Sequence, residues 1–129
     1  MIEFVDSVEG IKATMLQGFF EGWKRPPSPE IHLEILKNSG HVVLAIDRDA
    51  GKVVGFVTAI TDRIQAAFIP LLEVLPAYRA KGIGSTLVSK MLEKLRGIPA
   101  IDLTCDAHMQ LFYKRFGMIP SVGMLIRDY

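Results

Sequence analysis

Residues 75–88, LPAYRAKGIGSTLV, set Gly82 and Gly84 behind Arg79 and Lys81, where an apolar run gives way to a helical pattern. A helix start leaves about four N–H groups unsatisfied and carries roughly half a positive charge. Glycines have no Cβ, so an anion can come close to those amides, and phosphate is the usual occupant. Two common phosphate motifs do not fit. A dinucleotide fingerprint needs a third glycine where Leu87 stands, and a Walker loop needs lysine after glycine, whereas Lys81 precedes Gly82. A plain tight turn between strand and helix also accounts for G-x-G. Upstream, Glu73 interrupts the apolar LLEVL, which places a carboxylate either at a solvated cleft or in a functional role.

The elements that must hold these residues follow from periodicity. IEFV (2–5) reads as a short strand. Asp6 and Glu9 have capping-box spacing ahead of Val8, Ile11, Met15, Phe19 and Trp23, which predicts a helix. KRPPSP (24–29) must end it, and Ser28 with Pro29 opens a second helix that stops near Gly40. HVVLAID and KVVGFVTAI flank RDAG as a hairpin. AAFIPLLEVL (66–75) is a strand bulged or unpaired at Pro70, because proline cannot donate to a ladder. Ile83, Leu87, Val88, Met91, Leu92 and Leu95 mark one helix face, closed by Gly97 and Pro99. AIDLTC (100–105) is a strand, Asp106 caps a short helix and Gly117 ends it. MIPSVGMLIRDY reads as one or two antiparallel strands. Strand, helix and strand over 66–105 form a right-handed βαβ unit in a mixed α/β chain.

At 129 residues a single domain over 1–129 is expected, with a real core. Half the chain is hydrophobic and mean hydropathy is +0.29, a hint of a buried subunit interface and a homodimer. A net charge of +1 argues against a nucleic-acid or membrane partner. One cysteine, Cys105, allows no internal disulfide and no zinc pattern, so no metal is expected. No apolar stretch reaches about 18 residues and the start lacks a signal-peptide pattern, so a cytoplasmic protein is expected.

Arg79-x-x-Gly82-x-Gly84 after an apolar strand resembles the coenzyme A pyrophosphate loop of the GNAT acetyltransferase superfamily, along the whole of LEVLPAYRAKGIGSTL. FYKRFGM (112–118) is similar to that family's Phe-Tyr-x-x-x-Gly-Phe segment, with Met118 in place of the last Phe. The VVGFV strand is family-like too, and the resemblance covers roughly residues 40–118. It implies a GNAT-like fold, with a central mixed, mostly antiparallel sheet flanked by helices. It also implies acetyl-CoA as co-substrate and an amine acceptor, a small molecule or a protein amine. On this pattern the amides of Ala80, Lys81, Gly82, Ile83, Gly84 and Ser85 hold the pyrophosphate, with Arg79 and Lys81 adding charge, and Arg79 equally fits a brace of the loop against a neighbouring carboxylate. The backbones of Leu72, Glu73 and Val74 hold the pantetheine arm.

Direct transfer sets three needs: a donor for the thioester oxygen, a partner for the departing sulfur and a sink for the amine proton. The resemblance assigns them to the Val74 N–H, to Tyr113, and to Glu73 as base or amine anchor. Tyr113 is otherwise a core tyrosine, and Glu73 a paired structural charge. Asp106 is read chiefly as a helix cap, with a place in acceptor binding or as base left open, and a water relay is an alternative base. Asp102 is read as a surface or cleft charge, and His41 and His108 as bland. Phe20 and Trp23 occupy the acceptor-pocket segment, with core packing as the ordinary reading for Phe19 and Trp23. Cys105 is expected to be a small core residue. The competing function is a non-catalytic acyl-CoA-binding or sensing module; transfer of a longer acyl group is a third.

Overall fold

The computed structural model of the protein describes residues 1–128. Six strands, β1 (Ile2–Val5), β2 (His41–Asp47), β3 (Lys52–Thr61), β4 (Ala66–Phe68), β5 (Leu72–Val74) and β6 (Ala100–Asp102), form one sheet. Its order is β1-β2-β3-β4-β6, with β5 also paired to β3. Every pairing is antiparallel except β4 with β6. Three helices, α1 (Pro29–Asn38), α2 (Ile83–Lys94) and α3 (Gln110–Lys114), flank the sheet. This is the expected mixed, mostly antiparallel fold, and α2 is the crossover that returns the chain parallel at β6.

The alternation of β3 builds both layers of the core. Phe56 turns to one face, against Phe19, Phe20 and His32, whose ring centroids lie 5.1, 5.9 and 4.4 Å away. Gly55 turns to the other, against α2, where an added Cβ would lie 3.1 Å from Leu87 and 3.3 Å from Ile83. The bare backbone therefore lets α2 settle close on the sheet. Ile83, Leu87, Val88 and Met91 are buried, each contributing about 1.5–3 kcal/mol by leaving water. Ser28 caps α1, its hydroxyl accepting from the Ile31 N–H at 3.2 Å with Pro29 at the first helical position.

Several expected elements are absent or shorter. The helix expected across Val8–Trp23 is only a 3₁₀ turn at Ala13–Met15. Gly10, Gly18 and Gly22 take φ of +78°, +94° and +86°, and Phe20 takes +65°, none compatible with a right-handed helix. The segment still delivers Ile11, Leu16, Phe19 and Phe20 to the core. Asp6 makes no capping box and instead accepts from Lys94 at 2.7 Å. β6 stops at Asp102, so Cys105 is exposed in a loop rather than packed in the core. Asp106 stands before a 3₁₀ turn at Ala107–Met109, but its side chain makes no cap bond; the Met109 N–H bonds its backbone carbonyl at 2.9 Å. Residues 118–128 form no strand, and Tyr129 lies outside the described residues.

Candidate active site

The site begins with a split strand. The Ile69 N–H donates to the Asp102 carbonyl at 2.9 Å, so the chain leaving β4 still follows β6. Pro70 then breaks the line, and β5 continues against β3 alone. The Thr58 N–H bonds the Leu71 carbonyl at 3.0 Å, and the Leu75 N–H bonds the Val54 carbonyl at 2.8 Å. Antiparallel alternation between those two contacts turns the backbone of Glu73 toward Phe56, its register partner. Leu72 and Val74 must then point their backbone groups to the open edge. The Arg79 Nε donation to the Val74 carbonyl at 2.9 Å shows that outward direction directly. The expected run of three consecutive strand amides thus reduces to Leu72 and Val74, since the Glu73 amide faces the ladder.

Beyond β5, a 3₁₀ turn at Pro76–Tyr78 leads into the glycine loop. Ala80 and Gly82 take φ of +61° and +83°, and Gly82 is the N-cap of α2 with no side-chain cap. The first bond of the helix is Thr86 N–H to the Gly82 carbonyl, at 3.1 Å. No acceptor among the described residues meets the N–H of Ala80, Lys81, Gly82, Ile83, Gly84 or Ser85. These amides form a concave donor set suited to an anion. Arg79 is committed to bracing β5 through a backbone carbonyl, while Lys81 stands 5.6 Å from the Tyr78 ring centroid. Tyr78 is itself anchored, its hydroxyl donating to Asp47 at 2.5 Å.

Strand, loop and third helix converge at Gly84. A Cβ there would lie 3.8 Å from both Val74 Cγ2 and Phe112 Cζ. Its Cβ direction points toward those side chains, so the bare Gly84 lies at the packing junction of α2, β5 and α3. Phe112 precedes Tyr113 on α3, and the two rings pack edge to face at 4.9 Å. Tyr113 is half-buried and its hydroxyl has no partner among the described residues; burial, then the neighbouring Cys105, raises its pKa above the usual phenol value. Arg115, unanticipated from the sequence, donates from Nη2 to Ser85 Oγ at 3.1 Å and adds a cation at the first turn of α2.

On the other side of β5 lies a cleft of about 280 Å³, walled by Glu21, Trp23, Phe56, Pro70, Glu73 and Arg79 among others. Glu73 is half-buried, and both its oxygens accept from the Phe20 N–H. Desolvation raises its pKa, opposed by that N–H and by Arg79. Phe20 contributes a backbone donor while its ring is buried; Trp23 is 50% exposed at the cleft mouth instead of filling the core. Asp106, Asp102 and His108 are exposed and are not among the cleft walls. His32, which carries no motif, is fully buried among the aromatics with neither ring nitrogen bonded. Only the period of α1 could have pointed to it, since Leu36 shares its face.

An amide donor set at the start of a crossover helix thus stands beside a strand with an open edge. The chain belongs to the Acetyltransferase (GNAT) family, which it matches over residues 8–118. A Deinococcus radiodurans protein classed as an acetyltransferase is 43% identical, with a TM-score of 0.94 over 98% of this chain and 87% of that one. A GNAT family protein of Streptococcus pneumoniae is 26% identical, with a TM-score of 0.75 over 99% of this chain and 98% of that one. The uncharacterized N-acetyltransferase ycf52 of Pyropia yezoensis is 30% identical over 104 residues; the match spans 78% of this chain and 59% of that protein's length. The family match extends beyond the resemblance at roughly residues 40–118 into the N-terminal segment, as far as residue 8.

Proposed function

We propose that this protein transfers an acetyl group from acetyl-CoA directly to a primary amine. The observation that carries this reading is the row of six unmet amides, Ala80–Ser85, at the Gly82-capped start of α2, next to the open edge of β5. The fit to coenzyme A is chemical as well as geometric. A diphosphate needs several converging donors, and the cradle offers them with Lys81 and Arg115 close by. A pantetheine arm carries amide groups, which suit the outward backbone of Leu72 and Val74 as an added strand would.

Bound acetyl-CoA would supply an activated acetyl thioester. The chain's own groups then have distinct tasks. The Val74 N–H, free on the open edge, is the donor for the thioester oxygen as charge develops there. The Tyr113 hydroxyl, free of any protein acceptor, donates to the departing sulfur. A phenol is a weaker acid than a thiol and burial weakens it further, so its contribution is a hydrogen bond more than a full proton transfer. Glu73 anchors the incoming ammonium and accepts its proton, directly or through water. Two carboxylates, Glu21 and Glu73, against one guanidinium in the cleft wall favour a cationic acceptor.

The test is thiol release from acetyl-CoA across a panel of small amines, diamines and lysine peptides, with calorimetric binding of coenzyme A alongside. Binding without release for any amine would support the non-catalytic module; no binding would overturn the cradle assignment.

A further inference from the structure

One tight turn builds part of the wall of the cleft beside β5. The Trp23 N–H donates to the Phe20 carbonyl at 3.2 Å, and Gly22 takes φ +86° at the third position of that turn, where a type II turn calls for glycine. The Phe20 N–H is held by Glu73, so the turn is anchored at its first residue. Glu21 and Trp23 are thereby fixed in the same wall as Glu73. Trp23 packs on Phe20, ring centroids 4.9 Å apart, yet stays half-exposed. Lysines or arginines stand over Tyr78, Phe4, Phe112 and Phe116, but over Trp23 there is none among the described residues. Glu21 makes no ion pair among the described residues, and Arg79, bonded to the Val74 carbonyl, pairs with neither carboxylate. After desolvation, the charge of Glu21 also pushes the Glu73 pKa up, so the two carboxylates lie within electrostatic reach.

We infer that the acceptor is a small linear diamine: one amine goes to Glu73 for reaction, while Glu21 and the face of Trp23 hold the second as an ammonium. This assignment rests on the acetyl-transfer reading above and names its substrate. One carboxylate suffices to anchor and deprotonate one amine. A second carboxylate, beside an aromatic face with no cation of its own, is the chemistry that selects a second cation. At about 280 Å³ the cleft falls below the roughly 300–1,000 Å³ of pockets for drug-sized ligands, which suits a short chain. In the reaction the nitrogen–carbon bond forms as the carbon–sulfur bond breaks, and the amine proton passes to Glu73 or water. The product keeps one ammonium, so it cannot satisfy both ends of the cleft, and transfer stops after one acetyl group.

Thiol release from acetyl-CoA is compared for butanediamine, butylamine and aminobutyrate, four-carbon chains that differ at the far end. The diamine should exceed butylamine in kcat/KM by about tenfold. Aminobutyrate should be the poorest, because its carboxylate meets Glu21. The diamine product should carry one acetyl group. Glu21→Gln and Trp23→Leu should each raise KM for the diamine about fivefold and shrink its advantage over butylamine, while Trp23→Phe keeps most of it. Calorimetry with coenzyme A shows that each variant is folded. Equal kcat/KM for diamine and butylamine, a preference for aminobutyrate or a lysine peptide, or a diamine preference that survives both variants would overturn the diamine assignment and leave acetyl transfer standing. Thiol release with no amine at all would overturn acetyl transfer itself, and the diamine with it.

Discussion

The carboxylate of Glu73 holds the backbone N–H of Phe20, with Oε1 at 3.1 Å and Oε2 at 3.0 Å, across 53 residues of sequence. Phe20 adopts φ +65°, a conformation that costs a bulky residue energy, and the carboxylate is what receives its N–H. One side chain thus ties the N-terminal segment to β5 and stands in the cleft wall. Glu73 is both a structural acceptor and the proposed amine anchor.

Glu73→Gln keeps an oxygen acceptor for Phe20 and removes the charge. We expect kcat/KM to fall tenfold or more with a cationic amine, most strongly at low pH. Stability should move the other way. The folded pKa of Glu73 is raised above 4.5, so the folded state holds the proton more tightly and stability declines as pH rises from 4.5 through that raised value. In Glu73→Gln this decline disappears, and paired pH–rate and melting series show it. An active variant with an unchanged melting profile would leave ordered water as the base.

Tyr113→Phe retains the ring that packs on Phe112 and loses a hydroxyl with no protein partner. Coenzyme A affinity and melting temperature should be unchanged while kcat falls about 10²–10⁴-fold, the usual range for lost acid assistance. An equal kcat would make Tyr113 a packing residue.

Gly82 and Gly84 should respond differently. Gly82 is at φ +83°, so Gly82→Ala strains the N-cap by about 1 kcal/mol and misaligns the amide cradle. A Cβ on Gly84 meets Val74 and Phe112 at ordinary contact distance, so Gly84→Ala should melt like the parent, whereas Gly84→Val should disturb that junction. Calorimetry with coenzyme A should show weakened binding for Gly82→Ala and Gly84→Val.

His32 is buried without a hydrogen-bond partner, and desolvation lowers its pKa from 6.5 to about 4. The unfolded chain then binds the proton first. Stability is complete above pH 6.5 and is lost as pH falls toward 4, by an amount on the order of 3 kcal/mol. Asp6, Asp47 and Asp62 have pKa values below 3.8 and act in a lower window. His32→Leu should flatten the melting temperature between pH 7 and 4, leaving a smaller slope from half-buried His41 and the opposing slope of Glu73.

Asp106→Asn should be close to neutral in both stability and turnover, because the exposed carboxylate makes no cap bond. A large loss of turnover would move the base from Glu73 to Asp106.

Features set by neighbours along the chain were legible in the residues: the Ser28–Pro29 helix start, the hairpin at RDAG, the strand interruption at Pro70 and the glycine start of α2. Each depends on a φ constraint, a missing donor or a cap within a few positions. Helical spacing alone misread the N-terminal segment. Apolar residues three and four apart bury equally well in an irregular chain when glycines at positive φ break the helix and Phe20 finds its acceptor 53 residues away. Tertiary contacts likewise decided which amides of β5 face outward, because alternation needs a partner strand to fix its phase. They also turned Arg79 onto a carbonyl and Arg115 onto Ser85. The strand expected in MIPSVGMLIRDY does not form over residues 118–128 although the outer edge of β6 is open, because composition suits a segment to pairing but carries no information about which edge it meets.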